Sequence, residues 1–158
     1  MFSQFKKSTL EIGEVKINYV IGGSGSPILL LHGYPQTHVM WHKIAEQLAA
    51  HYTVVASDLR GYGDSDKPPT NDTHTPYSKR ASGNDQVQLM QSLGFSKFQL
   101  VGHDRGGRVG HRMALDHPDV IKKLVVMDIA PTYTMYKTTD MEFATAYYHW
   151  FFLIQPYD

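Results

Sequence analysis

Four short apolar runs, separated by segments with helical spacing, constrain the fold of this chain more than any other feature. The runs are ILLL, TVVA, FQLV and LVVM, and the strands that they predict are followed by His32, Asp58, Asp104 and Asp128. A continuous apolar run of this length is typical of a strand that is buried on both faces. Strands that alternate with helices in this way predict a parallel sheet with helices on both of its faces.

Other segments complete the predicted α/β architecture. Alternating polar and apolar residues predict one more strand at 14–23, and a composition rich in glycine, proline and aspartate predicts a long loop at 59–76. Apolar spacing predicts helices at 40–52, 80–94, 105–118 and 140–156. In open parallel sheets, ligands bind beyond the carboxyl ends of the strands, which is where the histidine and the three aspartates lie.

The composition excludes several classes of function. The chain has 158 residues, a formal net charge of zero and no cysteine. A neutral chain lacks the basic surface that nucleic acid or an anionic membrane would need, so we expect neither as a partner. The absence of cysteine excludes disulfides and thiolate chemistry. The N-terminal segment lacks the apolar core of a signal peptide and no run is long enough to span a bilayer, so we expect a soluble cytoplasmic protein.

The stretch Gly102-His103-Asp104-Arg105-Gly106 joins a predicted strand to a predicted helix. It has the layout of a nucleophile elbow, in which a sharp turn holds the central side chain out and small residues two positions away let the backbones approach. The central residue here is an aspartate, which can attack carbon to give an ester that water then cleaves. The alternative is that Asp104 only caps the helix N-terminus, which is a common use of aspartate.

The motifs around this elbow resemble a known family. Haloacetate (fluoroacetate) dehalogenases of the α/β-hydrolase superfamily have segments similar, in the same order, to LLLHGYPQTHVMW, YTVVASDLRGYGDSDKP, LVGHDRGGRVGHR and LVVMDIAPTY. The most specific part is GHDRGGR, because epoxide hydrolases share the aspartate elbow but usually carry tryptophan after the nucleophile. The resemblance runs from about Ile12 to the last residue. It implies Asp104 as the nucleophile and Asp128 as the acid that orients a catalytic histidine.

The resemblance also implies an α/β-hydrolase fold with a mostly parallel sheet and flanking helices. Residues 1–132 would form the N-terminal part of the core, and residues 133–158 the beginning of a helical cap domain. In this family the catalytic histidine comes late in the chain. None of the nine histidines holds that position, so we expect this chain to be an N-terminal half, with its base beyond residue 158. We set His103 aside as the base because neighbouring side chains on a strand point to opposite faces.

Arg105 and Arg108 lie three residues apart, so they share one face of the predicted helix. Both fall in its first turn, where a positive charge opposes the helix dipole by about 0.3 to 1 kcal/mol. Solvated surface arginines are the alternative, but this placement is poor for stability and therefore favours a functional role. Two guanidinium groups can clamp a carboxylate through paired hydrogen bonds. The resemblance implies that both hold the carboxylate of the substrate.

The resemblance gives roles to two further pairs of groups. The backbone N–H groups of Tyr34, in the HGYP loop, and of Arg105 would form an oxyanion hole. The side chains of His149 and Trp150, in the last predicted helix, would donate hydrogen bonds to the departing halide. On the residues alone, the second pair is better explained as part of an aromatic stripe that packs the helix.

No pattern indicates a metal or a cofactor. His38 and His42 are spaced for a metal on a helix, but no third ligand is evident, and Asp58 fits a structural role. We expect hydrolytic dehalogenation of a short 2-haloacid, such as haloacetate to glycolate plus halide, through an aspartyl ester. The expected partners are therefore the small-molecule haloacid and water. The alternatives are an epoxide hydrolase and a catalytically inactive fragment.

Overall fold

Six strands form one sheet in the computed structural model, which describes residues 1–152. The strands are β1 Lys6–Ile12, β2 Val15–Gly22, β3 Ser26–Leu31, β4 Tyr52–Ser57, β5 Phe98–His103 and β6 Ile121–Met127. Their spatial order is β1-β2-β4-β3-β5-β6. β3 lies at the centre and runs parallel to β4 and β5, and β5 runs parallel to β6. The prediction of a mostly parallel sheet is confirmed.

The first two strands form an antiparallel hairpin at one edge of the sheet. β1 pairs with β2, and β2 continues the sheet antiparallel to β4. The alternation at 14–23 predicted β2 correctly. It did not extend to β1, because only the last residue of that strand, Ile12, is buried and the others are exposed or half-buried.

Helices cover both faces of the sheet. They are α1 His42–Leu48, α2 Lys79–Ser92, α3 Arg105–Asp116, α4 Thr132–Lys137, α5 Met141–Ala146 and α6 Tyr148–Phe152. On one face, Met90 of α2 and Val109 of α3 belong to the larger apolar cluster together with Leu29. On the other face, Ala45 of α1 packs in a second cluster with Leu30. The three layers confirm the predicted α/β fold class and bring the N-terminal ends of α2 and α3 to the carboxyl ends of the parallel strands.

Three observed helical segments differ from the predicted ones. In place of the helix predicted at 40–52 there is a 3-10 helix, His38–Trp41, which Thr37 caps by accepting a hydrogen bond from the Val39 N–H, followed by α1, which ends at Leu48. The segment predicted at 140–156 is two short helices that break at Tyr147, and its residues 153–156 lie outside the described part of the chain. α4 buries only Met135 and therefore has no apolar stripe that would have predicted it. The predicted boundary between core and cap, at residue 132, stays a prediction.

β6 forms the second edge of the sheet. Within residues 1–152 it pairs with β5 alone. Its last three side chains, Val125, Val126 and Met127, are 50%, 44% and 41% exposed. The prediction that the run LVVM is buried on both faces is therefore wrong, because this strand lies at an edge and none of its residues is buried. This edge therefore presents apolar side chains beside unpaired backbone groups. In the same range of residues, none of the helices combines the length and apolar character that crossing a membrane requires.

Candidate active site

Asp104 lies at the corner between β5 and α3 in an unusual backbone conformation. Its φ of 49° and ψ of −115° fall outside the regions that L-residues normally occupy. Such a conformation costs on the order of 1–3 kcal/mol and persists where the surrounding structure enforces it. The Asp104 side chain makes no capping hydrogen bond to α3. The geometry is therefore that of an elbow and not of a helix cap.

Two glycines make this corner possible. A Cβ added at Gly102 would lie 2.4 Å from the Gly106 carbonyl oxygen, and one added at Gly106 would lie 2.3 Å from the Leu31 carbonyl oxygen. A larger residue at either position would push α3 away from the strands. The glycines thus let the first turn of α3 reach the ends of β3 and β5.

The loop after β3 holds one oxygen of the Asp104 carboxylate. The Tyr34 backbone N–H donates a hydrogen bond to Asp104 Oδ1 over 2.8 Å. A Cβ on Gly33 would lie 2.6 Å from the same oxygen, so glycine is required beneath the carboxylate. Gln36 fixes this loop, because its Oε1 accepts a hydrogen bond from the Gly33 N–H over 3.3 Å. The other carboxylate oxygen, Oδ2, has no hydrogen bond from residues 1–152.

The Asp104 carboxylate faces a cavity of about 310 Å³. The loop after β3, the first turns of α2 and α3, and the short helices α4 and α6 surround it. Six predicted site residues and two others line it: Tyr34, Lys79, Asp104, Arg105, Arg108, Tyr136, His149 and Trp150. A cavity of this size suits a small organic molecule.

Positive charge exceeds negative charge in this cavity. Lys79, Arg105 and Arg108 face one carboxylate, that of Asp104. Within the described residues, neither arginine lies within ion-pair distance of a carboxylate. Burial lowers the pKa of Arg108, while the charge of Asp104 acts to raise it. Two helices also direct their N-terminal ends here, which adds positive potential. The arrangement favours an anionic ligand.

Aromatic rings position both guanidinium groups. The Arg108 guanidinium carbon lies 4.3 Å from the centre of the Trp150 ring, and that of Arg105 lies 6.0 Å from the centre of the Tyr62 ring. Both distances fall in the range of cation–π contacts. Three more rings pack around Trp150: Tyr136, Phe143 and Tyr147. The aromatic stripe and the cavity wall are therefore the same structure, with His149 exposed beside it.

Asp128 follows β6 and lies outside the lining of the cavity. It also has a positive φ, 51°, and its side chain is 92% exposed. His103 Nε2 lies 3.7 Å from Asp128 Oδ2, and His103 Nδ1 lies 3.1 Å from Gln36 Oε1. The alternation argument that set His103 apart from Asp104 did not anticipate this contact. The location of the catalytic base beyond residue 158 stays a prediction.

Sequence reasoning missed two residues of the cavity, Lys79 and Tyr136. Lys79 is the first residue of α2, directly after the Ser78 cap. Burial and the charges of Arg105 and Arg108 lower the pKa of Lys79 to about 8, against the attraction of Asp104. A lysine in the first turn of a helix, where positive charge is unfavourable, is the signal that could have found it.

Asp58 is buried in a network of hydrogen bonds, in agreement with the structural role predicted for it. It is fully buried, and its carboxylate accepts hydrogen bonds from the backbone N–H groups of His38 and Asp64, at 2.7 and 3.0 Å, and from the Asn18 amide at 2.8 Å. Burial alone would raise the pKa of this carboxyl. The hydrogen bonds from His38 and from the backbone outweigh that effect and lower the pKa to about 2.

The histidines considered as metal ligands have other contacts. His38 Nδ1 lies 2.8 Å from Asp58 Oδ1, and His42 Nδ1 lies 2.9 Å from the Val39 carbonyl oxygen. His32, at the end of β3, is buried and its Nε2 accepts a backbone hydrogen bond over 3.0 Å. Across residues 1–152, no three side chains of metal-ligating type form a group that could hold an ion.

The fold and the elbow define the class of protein. Residues 26–158 match the alpha/beta hydrolase fold family, and the chain belongs to that family. A fluoroacetate dehalogenase of Burkholderia sp is 56% identical over 156 residues, which cover 99% of this chain and 51% of that protein. The resemblance to the haloacetate dehalogenases is thereby confirmed.

Two further comparisons are informative. A soluble epoxide hydrolase of Corynebacterium sp. (strain C12) is 40% identical over 120 residues, which cover 76% of this chain and 40% of that protein. A crystal structure from Nostoc sp PCC 7120, of a protein assigned to the α/β hydrolases, matches with a TM-score of 0.98 and 62% identity. That match covers 99% of this chain and 54% of the other. The chain therefore spans about half the length, or less, of these relatives.

Proposed function

We propose that this chain forms the nucleophile-bearing part of an enzyme that hydrolyses short 2-haloacids, such as haloacetate, to the 2-hydroxy acid and halide. The observation that carries the proposal is the cavity in which Asp104 lies beside Arg105 and Arg108, neither of which has a carboxylate partner within residues 1–152. A haloacid bound by these guanidinium groups has its halogen-bearing carbon one bond from the clamped carboxylate. The similarity to a fluoroacetate dehalogenase supports the same reaction.

In the first step, Asp104 Oδ2 attacks the halogen-bearing carbon. The carbon–halogen bond breaks, the halide leaves with the bonding electrons, and an ester joins Asp104 to the acid. Oδ1 stays in its hydrogen bond with the Tyr34 N–H, which fixes the direction of attack. The elbow holds the Asp104 carboxylate in position before the substrate binds, because the backbone of Asp104 is already held in the strained conformation.

The departing halide needs hydrogen-bond donors. His149 and Trp150 line the cavity, and both side chains carry N–H groups. Trp150 is held by its contact with Arg108 and by the rings around it, so its indole is fixed relative to the clamped carboxylate. We assign the pair to solvation of the halide, which matters most for fluoride, a poor leaving group.

In the second step, water attacks the ester carbonyl carbon of Asp104. Negative charge then develops on Oδ1, where the Tyr34 N–H, and in the proposed hole the Arg105 N–H, stabilise it. The tetrahedral intermediate then collapses: the bond between its carbon and Oδ2 breaks, and the 2-hydroxy acid leaves with Oδ2. The proton of the attacking water passes to a general base, which returns it to the departing oxygen. We assign Asp128 to orient a histidine in that role, and we place that histidine beyond residue 158.

An epoxide hydrolase is the second candidate, because relatives with that activity share the elbow. An epoxide is uncharged and gains nothing from a carboxylate clamp. The cations around the cavity therefore favour the haloacid over the epoxide.

The test is alkylation of Asp104 by chloroacetate in this chain. Folded protein is incubated with chloroacetate. Peptide mass spectrometry locates the modified residue, and the released chloride measures how much product has formed. We expect a carboxymethyl ester on the peptide that contains Asp104, with chloride released as the ester forms, because attack requires only the nucleophile and the anion site.

Asp104→Asn is the matched control, since it keeps the shape of the side chain and removes the nucleophilic carboxylate. It should show neither product. Wild-type protein that is folded by circular dichroism, but gives no adduct on Asp104 and no chloride, would rule out the proposed function.

A further inference from the structure

The steps proposed above leave the charge of Lys79 unused, although its side chain lines the cavity. Lys79 is half-buried, and within the described residues its side chain has no carboxylate partner and no hydrogen bond. Its neighbour Arg80 is different, because it is exposed and pairs with Asp116 on the surface. Two adjacent cations of α2 therefore have opposite surroundings.

Three features make the position of Lys79 unfavourable in the empty cavity. Its ammonium group is partly desolvated, it is repelled by Arg105 and Arg108, and it stands in the first turn of α2. Each of these three features disfavours the charged form of the Lys79 side chain. Only Asp104 acts in the opposite sense. Three cations and one carboxylate line the empty cavity, so a bound anion would bring the positive and negative charges closer to balance.

We propose that Lys79 is a third cationic contact for the carboxylate of the haloacid, and that it sets the affinity of the site and not the rate of attack. This inference rests on the proposed function. The two arginines come from α3, next to the nucleophile, whereas Lys79 comes from α2. The anion would thus be held from two helices. An ammonium group acts as a point charge with three donors, so it attracts the anion without fixing its orientation.

The contribution of Lys79 should depend on pH. The other titratable or charged groups lining the cavity are Tyr34, Asp104, Arg105, Arg108, Tyr136 and His149. Because the pKa of Lys79 lies at about 8, its charge is present at neutral pH and is lost as the pH rises through that value. The guanidinium groups keep their charge over the same range. Anion affinity should therefore fall above pH 8 in wild-type protein.

The experiment measures binding and alkylation separately. Acetate, an unreactive carboxylate, is titrated while the indole N–H signal of Trp150 is followed by NMR. Chloroacetate is then used to obtain the half-saturating concentration and the limiting rate of Asp104 alkylation. Lys79→Met and Lys79→Gln remove the charge, and Lys79→Arg keeps it. Arg80→Met is the control, since it removes a neighbouring charge outside the cavity.

At pH 7 we expect Lys79→Met and Lys79→Gln to weaken acetate binding, and to raise the half-saturating chloroacetate concentration, by about tenfold. The limiting rate should stay at its wild-type value. Lys79→Arg and Arg80→Met should resemble wild type, and the fall in affinity above pH 8 should disappear in Lys79→Met. A merely structural role would not separate affinity from rate in this way.

Two results would overturn the inference alone. In the first, wild-type protein binds acetate and is alkylated, but Lys79→Met and Lys79→Gln have wild-type affinity. In the second, those variants lose limiting rate at unchanged affinity. If wild-type protein neither binds acetate nor reacts at Asp104, the proposed function fails, and the inference fails with it.

Discussion

Arg108 occupies a site where its charge is costly and its geometry is tightly defined. It stands in the first turn of α3, where a cation opposes the helix dipole, and its guanidinium group lies over Trp150. A flat, delocalised cation suits both a ring on one side and a carboxylate at its edge. Binding of the substrate carboxylate should therefore require an arginine at position 108, and not only a positive charge.

Arg108→Lys should raise the half-saturating chloroacetate concentration for Asp104 alkylation by at least about tenfold. Lysine keeps the charge but loses the paired hydrogen bonds and the stacking on the ring. The alkylation kinetics described above provide the measurement. Arg112→Lys is the matched control, because Arg112 lies one turn later on α3 and pairs with Asp116. Equal kinetics in Arg108→Lys and wild type would mean that other groups hold the carboxylate.

Asp58 contributes to stability in a way that depends on pH. Its pKa falls from the usual 3.8 to about 2 in the folded protein. The ionised form thus stabilises the fold above about pH 4, and this contribution is lost as the pH falls through 2. Asp58→Asn should lower the free energy of unfolding by about 2 kcal/mol at pH 7. Urea unfolding should show a smaller difference from wild type at pH 3 than at pH 7.

Asp64→Asn is the control for this prediction, since Asp64 is an exposed carboxylate in the same loop that pairs with Lys7 at the surface. It should change stability little at either pH. A loss for Asp58→Asn that is the same at both pH values would show that the ionisation of Asp58 is not its source.

Among the cavity residues, spacing along the sequence could predict only those close together, whereas Tyr34, His149 and Trp150 were predicted from the family resemblance. The sequence spacing of Asp104, Arg105 and Arg108 determines that they share one corner and one helix face, and the structure brings them to one cavity. Lys79 reaches the same cavity from another helix, and no local pattern connects it to Asp104. The contact between His103 and Asp128 likewise depends on how β5 and β6 end side by side.

Among the elements, the junction of β5 and α3 tolerates the least change. Gly106→Ala should lower the free energy of unfolding by more than about 3 kcal/mol, because its Cβ would lie 2.3 Å from a backbone oxygen of β3 that cannot move alone. The same variant should lose alkylation at Asp104 as α3 is displaced. Chemical unfolding and the adduct assay measure the two effects.

Gly110→Ala provides the comparison within the same helix. The atoms nearest to a Cβ there would belong to the Leu124 and Leu100 side chains, at 3.1 and 3.3 Å, and not to the backbone. These side chains can adjust, and alanine favours the helix by about 1 kcal/mol. We therefore expect stability near wild type. Similar losses for both variants would indicate a general intolerance of α3 and not a specific contact at the elbow.

Most elements with a buried face were predictable. β6 was predicted too, from its apolar run, although none of its residues is buried, and α5 and α6 were predicted as one helix although they bury no residue. The continuous apolar runs of β3, β4 and β5 follow from burial on both sides of the sheet. β1 buries one residue, and α4 buries Met135 alone, so neither carries a periodic signal. The break at Tyr147 carries no glycine or proline signal, and the ring contact between Trp150 and Tyr136 joins two separate helices.

For the whole molecule, we expect the edge at β6, which pairs with β5 alone within residues 1–152, to control self-association. Exposed apolar side chains beside unpaired backbone groups template association between copies. We expect this chain to self-associate at micromolar concentration, and Val125→Lys to reduce that association by placing a charge on the edge. Sedimentation velocity over a range of concentrations measures the change.

Leu115→Lys is the control for the edge. Leu115 is 59% exposed on α3, so the substitution adds the same charge to an apolar side chain away from β6. It should leave the association unchanged. A monodisperse monomer of the wild-type chain, or equal effects of both lysines, would contradict the role given to this edge.

The single hydrogen bond from Tyr34 to Asp104 makes the two oxygens of that carboxylate chemically distinct. Under the proposed reaction, Oδ2 departs inside the hydroxy acid, and an oxygen from water takes its place on the side chain. Oδ1 stays where the backbone holds it. The hydroxyl oxygen of each product would be the Oδ2 atom that Asp104 held at the start of that cycle. That atom would have entered Asp104 from water one cycle earlier, so oxygen from water would reach the product only by way of Asp104.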